Sequence, residues 1–383
     1  MGPEPETIVA HDDEFPAGAV VPPIFQTSLF TFPSYEELEA TFAGETRRPI
    51  YSRGDNPTVQ VFEAKLAALE VAEAARAFAS GMAAISAAVL SNLRSGERMV
   101  CVRHCYPDAF RLFRTILPRF GIDVEFVDGR DADAVQRVLP GAQVLYLESP
   151  TSMVFETQDL ARLAAAARAE GAISIADNSW ASPIFQRPLQ RGVDLVVHSA
   201  SKYLGGHSDV VAGVVAGRRD LIERINQAEF PLLGCKLSPF EGWLLVRGLR
   251  TLPLRMRRHH ESGLLIAERL AGHPRIRRVH HPLRDPVGSS GGALEGASGL
   301  FSFELDGDKD AVRRFCNALE LFKLGVSWGG HESLAFPAAA GLVQAGAHNP
   351  LAFFGVAPET IRLHIGLEDP EDLWSDLTRA LEA

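Results

Sequence analysis

The chain has 383 residues, 46% hydrophobic and 22% charged, a soluble globular balance; it is too long for one ordinary core, so two domains are expected. Its 38 basic and 48 acidic residues leave a formal net charge of −10, which argues against general binding to nucleic acid or to an anionic membrane surface. No run approaches ~18 apolar residues, the acidic start Met1-Gly-Pro-Glu-Pro-Glu6 lacks the apolar stretch of a signal peptide, and the four cysteines show neither a CxxC pair nor metal spacing, so a cytoplasmic protein with no membrane span and no metal site is expected.

Residues 1–57 are dense in Pro, Phe and Thr and show little periodicity. They read as an extended arm with one short helix near Tyr35–Thr41, whose apolar side chains need a surface such as a partner subunit. Within the arm, Tyr51 and Arg53 stand two apart, so in an extended segment they project to the same side. Thr58 is expected to cap a helix over Val59–Glu70, with Phe62, Leu66 and Leu69 on one face. A strand over Ala75–Ala79 then meets Ser80-Gly81-Met82 and an alanine-rich helix. Strand, small residues and helix N-terminus together offer N–H groups and the positive dipole end to an anion. Strands predicted over Arg98–Val102, Val124–Val127, Gln143–Leu147 and Ile173–Ala176 alternate with helices over Ala109–Arg119, Ala132–Leu139 and Asp159–Glu170. That rhythm predicts an α/β fold with a mostly parallel, doubly wound sheet whose chemistry collects at the carboxyl ends of the strands.

Those ends carry Tyr106, Glu148, Asp177 and, after the apolar run Val193–Val197, Ser199-Ala200-Ser201-Lys202. Two glycines and a second apolar run, Val210–Val215, follow. A lysine held close to apolar strands is desolvated, which lowers its pKa and frees its lone pair to attack a carbonyl. Helices over Ser238–Arg250 and Pro253–Leu270 come next, then a flexible Gly/Ser loop over Asp285–Ser298. Beyond it lie an alternating strand (Leu300–Leu305), a helix (Ala311–Leu319), the segment Ser327–Ser333, a strand (Thr360–Ile365) and an amphipathic helix (Pro370–Leu381). The expected organisation is an arm (1–57), an α/β domain (58–251) and a smaller C-terminal α+β domain (252–383). Arg362 alternates with Ile361 and Leu363, so it points away from that domain's core, and its planar fork suits a carboxylate.

One cofactor asks for all of these parts together. Pyridoxal 5′-phosphate needs a lysine for its Schiff base, an acid for its ring nitrogen, a phosphate cup and an aromatic lid, and its amino-acid substrate needs an arginine. Lys202, Asp177, Ser80-Gly81-Met82, Tyr106 and Arg362 supply them. A nicotinamide dehydrogenase on the same type of sheet would need a GxGxxG fingerprint, which the sequence lacks.

From about Val21 to the C-terminus the sequence also resembles the Cys/Met-metabolism pyridoxal-phosphate enzymes of the cystathionine γ-synthase type, of the fold type I class. Tyr51-Ser-Arg53 with Asn56-Pro-Thr is similar to that family's arm motif, and the resemblance implies contacts with the cofactor phosphate of a neighbouring subunit. It further implies Ser80, Gly81, Met82, Ser199 and Ser201 as phosphate contacts, Tyr106 as ring-stacking and catalytic residue, Asp177 at the ring nitrogen, Lys202 as Schiff-base and catalytic lysine, and Arg362 at the substrate carboxylate, with Ser327, Trp328 and Tyr51 also lining the substrate site. A homotetramer built from dimers that share their active sites is implied too.

Ser327-Trp-Gly-Gly-His-Glu-Ser-Leu, Ile361-Arg-Leu-His-Ile-Gly-Leu-Glu-Asp, Arg258-His-His-Glu-Ser and Ser298-Gly-Leu-Phe-Ser-Phe resemble bacterial cystathionine β-lyases. The γ-branches tend to carry Glu where this chain has Val326 and Leu where it has Trp328. The activity this implies is β-elimination on cystathionine or a related sulfur amino acid, giving pyruvate, ammonia and a thiol. The alternative is γ-lyase or γ-synthase action on a γ-substituted amino acid. Two positions depart from the family pattern: Pro107-Asp108-Ala109 replaces the common Gly-Gly-Thr after the stacking tyrosine, and Ser152 replaces a frequent Asn.

Overall fold

The computed structural model describes residues 2–12, 15–284, 294–345 and 348–383. Seven strands form the larger sheet: β1 (Ala74–Phe78), β2 (Arg98–Val102), β3 (Asp123–Val127), β4 (Val144–Glu148), β5 (Ile173–Asp177), β6 (Leu195–Ser199) and β7 (Gly213–Gly217). Their order is β1-β7-β6-β5-β4-β2-β3, with β7 antiparallel to both neighbours and the remaining pairs parallel. The run β2-β4-β5-β6 therefore ends side by side, which places Glu148, Asp177 and Ser199 along one rim.

β4 is buried along its whole length, as a central parallel strand covered on both faces must be. One face packs Phe110, Phe113, Tyr146, Val197 and Val215, and the other packs Val100, Leu145, Leu147 and Leu163. Each such side chain contributes roughly 1.5–3 kcal/mol when withdrawn from water. A second sheet of five strands, in the order β10-β11-β12-β9-β8, holds β8 (Ile276–His280), β9 (Leu300–Leu305), β10 (Lys323–Leu324), β11 (Leu334–Pro337) and β12 (Thr360–His364). Phe301, Phe303, Ile361 and Leu363 face its core with Phe315 and Leu377. Arg362, between two of them, projects to the other side, as the alternation requires.

Several local expectations need correction. The helix cap at the end of the arm is Asn56, whose side chain accepts the Thr58 N–H at 3.0 Å, with Pro57 at the first helical position of Pro57–Glu70. Thr58 lies inside that helix, and its hydroxyl instead donates to the Pro23 carbonyl and accepts the Phe25 N–H, both at 2.9 Å. The predicted helix Ala109–Arg119 breaks into Pro107–Arg111, a wider turn over Leu112–Ile116 and a tighter one over Leu117–Phe120. Pro118 removes a backbone donor there and forbids a regular ladder. Residues 285–293 of the expected Asp285–Ser298 loop lie outside the described residues. Its last two residues are not loose: Ala297 and Ser298 are buried, and the Ala297 N–H donates to His260 at 3.1 Å. Among the described residues, no helix is long and apolar enough to cross a membrane.

Candidate active site

β6 delivers the lysine. Beyond Ser199 the chain turns tightly, with the Lys202 N–H on the Ser199 carbonyl at 3.1 Å and the Gly206 N–H on the Lys202 carbonyl at 2.8 Å. The Lys202 amine donates to the Ser327 hydroxyl at 2.7 Å and stands 5.4 Å from the centre of the Trp328 ring. Burial, reinforced by the nearby Arg362 charge, pulls its pKa down to about 8.

Arg362 reaches the same place from β12. Its guanidinium donates to the Val326 carbonyl at 2.9 Å, reaches the Ser327 carbonyl at 3.5 Å and lies over the Phe336 ring, 5.2 Å from its centre. Burial lowers its pKa to about 10, which leaves it a cation at neutral pH. Segment 326–330 can lie this close to the lysine turn because residue 329 is glycine. Its φ is +87°, and a Cβ there would stand 2.8 Å from backbone atoms of Lys202 and Tyr203. Trp328, next to it, packs on Tyr203 with ring centres 5.4 Å apart and adds to the core behind the lysine.

The segment expected to seat an anion lies at the start of the helix Gly81–Leu90. Ser80 caps it, its oxygen accepting the Ala83 N–H at 3.1 Å, so the hydroxyl proton remains available to a ligand. The first N–H groups of any helix lack intrahelical partners and suit an anion. Gly81 lies directly on Ser199: a Cβ would stand 3.0 Å from that side chain. Ser201 is placed differently. Its hydroxyl already accepts the Ala212 N–H at 2.9 Å and donates to the Ala212 carbonyl at 3.2 Å, so its one proton is spent on the turn.

At the ends of β4 and β5, Glu148 and Asp177 are register partners. Asp177 accepts the Ser179 N–H at 2.9 Å, and burial raises its pKa. Burial raises the Glu148 carboxyl as well, with the Asp177 charge next in weight, while the Tyr106 N–H at 2.6 Å opposes the shift. A cationic N–H against Asp177 would favour its ionised form. Glu148 holds the backbone of Tyr106, a role the sequence reading did not assign it; its place at a strand end beside Asp177 was the available signal. The Tyr106 hydroxyl donates to Asp108 at 3.0 Å, and its pKa is pushed up by burial first and then by Asp108.

Two expected site residues lie apart from this cluster within the chain. Tyr51 and Arg53 are exposed, and Arg53 donates to the Pro231 carbonyl at 2.9 Å. They do share one side of the arm, the guanidinium 5.7 Å from the centre of the tyrosine ring. Arg76 holds the segment from beneath through the Gly54 carbonyl at 3.0 Å and Asp55 at 3.2 Å.

The sequence matches the family model for Cys/Met metabolism PLP-dependent enzymes over residues 6–382. It is 40% identical to L-methionine gamma-lyase of Pseudomonas putida, over 97% of this chain and 95% of that protein. It is 37% identical to cystathionine gamma-lyase of Bacillus subtilis, over 95% of each. Its fold overlays on a putative O-acetylhomoserine (thiol)-lyase of Campylobacter jejuni, solved with N′-pyridoxyl-lysine-5′-monophosphate, at a TM-score of 0.92, with 28% identity and complete coverage of both chains. A lysine-bearing rim and a fold shared from end to end agree with the sequence match, and the chain belongs to the Cys/Met metabolism family of enzymes that use pyridoxal phosphate.

Proposed function

We propose that the chain catalyses γ-elimination on a sulfur amino acid such as L-methionine or cystathionine, adding water and releasing a thiol, ammonia and 2-oxobutyrate. The observation that carries this reading is the 40% identity to a methionine γ-lyase over nearly the whole chain, with a cystathionine γ-lyase close behind. The β-elimination expected from the sequence rested on four segments that resemble β-lyases, beginning at Arg258, Ser298, Ser327 and Ile361, and on Val326 and Trp328. Val326 is exposed, and Trp328 packs against Tyr203. Its packing on Tyr203 and its place 5.4 Å from the Lys202 amine do not by themselves choose between Cβ and Cγ.

The residues present fit pyridoxal phosphate. Gly81 leaves against Ser199 a space that a Cβ would fill, Asp177 is a carboxylate sunk at the rim, and Lys202 is an amine with a lowered pKa. When bound, the cofactor supplies an electron sink for the charge that develops at the substrate Cα. Ser80, Gly81, Met82 and Ser199 would hold its phosphate and Asp177 its ring nitrogen. Ser201 would first have to release Ala212 before it could donate there. Lys202 would carry the covalent link.

Each protein group then has a task set by its surroundings. Arg362 binds the substrate carboxylate with its planar fork. The neutral Lys202 amine takes a proton from Cα; once it has handed that proton on and is neutral again, it takes a second from Cβ for γ-elimination. A base with pKa about 8 suits that work near neutral pH. Tyr106 would lie against the bound cofactor, and its phenol gives a proton to the departing thiolate. Tyr51 and Arg53, exposed on the arm, would serve the phosphate of a neighbouring copy in a homotetramer with shared sites.

The test is to incubate the purified holoenzyme with L-methionine and, separately, L-cystathionine, and to identify the keto acid. 2-Oxobutyrate from either substrate is the expected product. Pyruvate and homocysteine from cystathionine, with no 2-oxobutyrate from methionine, would overturn the γ reading in favour of β-elimination.

A further inference from the structure

The residue that departs from the family pattern beside the stacking tyrosine, Asp108, makes a specific contact. Pro107 opens the short helix Pro107–Arg111, and Asp108 follows it in the first turn. The Tyr106 hydroxyl donates to one Asp108 oxygen at 3.0 Å. The other Asp108 oxygen takes Arg111, which is itself held by the side chain of Gln344 from the C-terminal part of the chain. A phenol has one proton to donate, and here it has a fixed acceptor.

We infer that Asp108 is a positioning residue for the reaction: it keeps the phenol of Tyr106 protonated and holds its O–H until the departing thiolate competes for that proton, so that Lys202 takes every base step and Tyr106 serves only as an acid. The inference rests on the reading of Tyr106 as the stacking residue of the proposed site. The charged groups around the phenol are Asp108 and Arg111 on its own helix, Glu148 and Asp177 at the ends of β4 and β5, and Arg362 from β12. Asp108 is the one among the acids that touches the hydroxyl itself. A carboxylate accepting a hydrogen bond from a phenol opposes formation of the phenolate, both by like charge and by the lost bond. The proton balance is closed: the Tyr106 O–H bond breaks as the S–H bond of the thiol forms, and the phenolate regains a proton, through water, from the Lys202 ammonium left by the base step.

The bland alternative is an acid placed in the first turn of a helix and paired with Arg111 three residues on, which stabilises the helix and nothing else. The two readings differ in what happens to the phenol. Asp108→Asn keeps the shape but removes the charge. Absorbance titration in the phenolate band, taken as the difference between each protein and its Tyr106→Phe counterpart, reads this one tyrosine among the five in the chain. In Asp108→Asn the ionisation constant of Tyr106 should rise about tenfold, and the alkaline limb of kcat should move to lower pH by the same amount. Arg111→Ala, which uncovers the Asp108 charge, should move both the other way. An unchanged Tyr106 titration in Asp108→Asn would overturn the inference and leave only the helix role. Because the titration needs no substrate, it remains readable even if neither methionine nor cystathionine is turned over, so failure of the proposed function and failure of this inference are separate results.

Discussion

Lys202 and Arg362 converge on one residue, Ser327: the lysine amine donates to its hydroxyl at 2.7 Å, while the arginine reaches its carbonyl at 3.5 Å and the Val326 carbonyl at 2.9 Å. The two cations come from different sheets, and a single loop holds both in place.

Replacing Lys202 with alanine removes the base and the covalent anchor together. Keto-acid release should fall by about 10²–10⁴-fold or more, the range that a positioned base supplies. Far-ultraviolet circular dichroism should be unchanged, because the side chain is only half-buried. Retention of near-normal turnover in this variant would remove the assignment of the site.

The lowered pKa of Lys202 has a thermodynamic counterpart in the cofactor-free protein. Its folded value of about 8 lies below the ordinary 10.5, so in that window the unfolded chain binds more protons than the folded one. Stability conferred by this group therefore rises with pH from about 8 towards 10.5, and its cost is full below about 8. Urea unfolding of wild type and Lys202→Met should show the variant more stable near neutral pH, with the gap closing at alkaline pH. A gap that does not narrow would mean that the amine is not desolvated.

Arg362→Lys keeps a charge but loses the planar fork and the grip on Val326. A hydrogen bond to a charged group is worth ~1.5–3 kcal/mol, which corresponds to a rise of roughly 10- to 100-fold in KM for the amino acid. Steady-state kinetics should show kcat falling much less than KM rises. The reverse pattern would mean that Arg362 acts on the reacting atoms and not on the carboxylate.

Gly329→Ala tests the close approach of the two segments. The φ of +87° and the backbone of Lys202 and Tyr203 at 2.8 Å both oppose a methyl group there. The left-handed conformation alone costs ~1–2 kcal/mol, so a loss of more than ~2 kcal/mol is expected in thermal or chemical unfolding. Activity should fall with it, since Ser327 would be displaced.

What the sequence made legible followed from pattern. β2 and β9 and the helix Pro370–Leu381 fall where apolar periodicity placed them. The rim of Glu148, Asp177 and Ser199 followed from strands that end in polar residues. β8 was missed because Ile276-Arg-Arg-Val-His280 is an edge strand with exposed arginines, and its pairing with β9 is what makes it a strand. β10 is only two residues long and shows no period of its own. Asn56 and Thr58 are both good caps by residue type, and only the placement of Pro57 decided between them. The choice between β- and γ-elimination was not legible in Trp328, because an aromatic side chain at a site edge looks the same whether it faces a substrate or packs against Tyr203.

The contact between Gly81 and Ser199 has a partner in β7, where a Cβ on Gly213 would stand 2.2 Å from the Ser80 carbonyl oxygen. Three positions far apart in the chain thus share one small volume. Anyone diversifying this enzyme in the laboratory would find position 213 closed, because a Cβ there meets the backbone of Ser80 and Gly81, which no other substitution removes. Position 81 is coupled to 199 instead: a Cβ there meets the Ser199 side chain first, so a library should vary those two together.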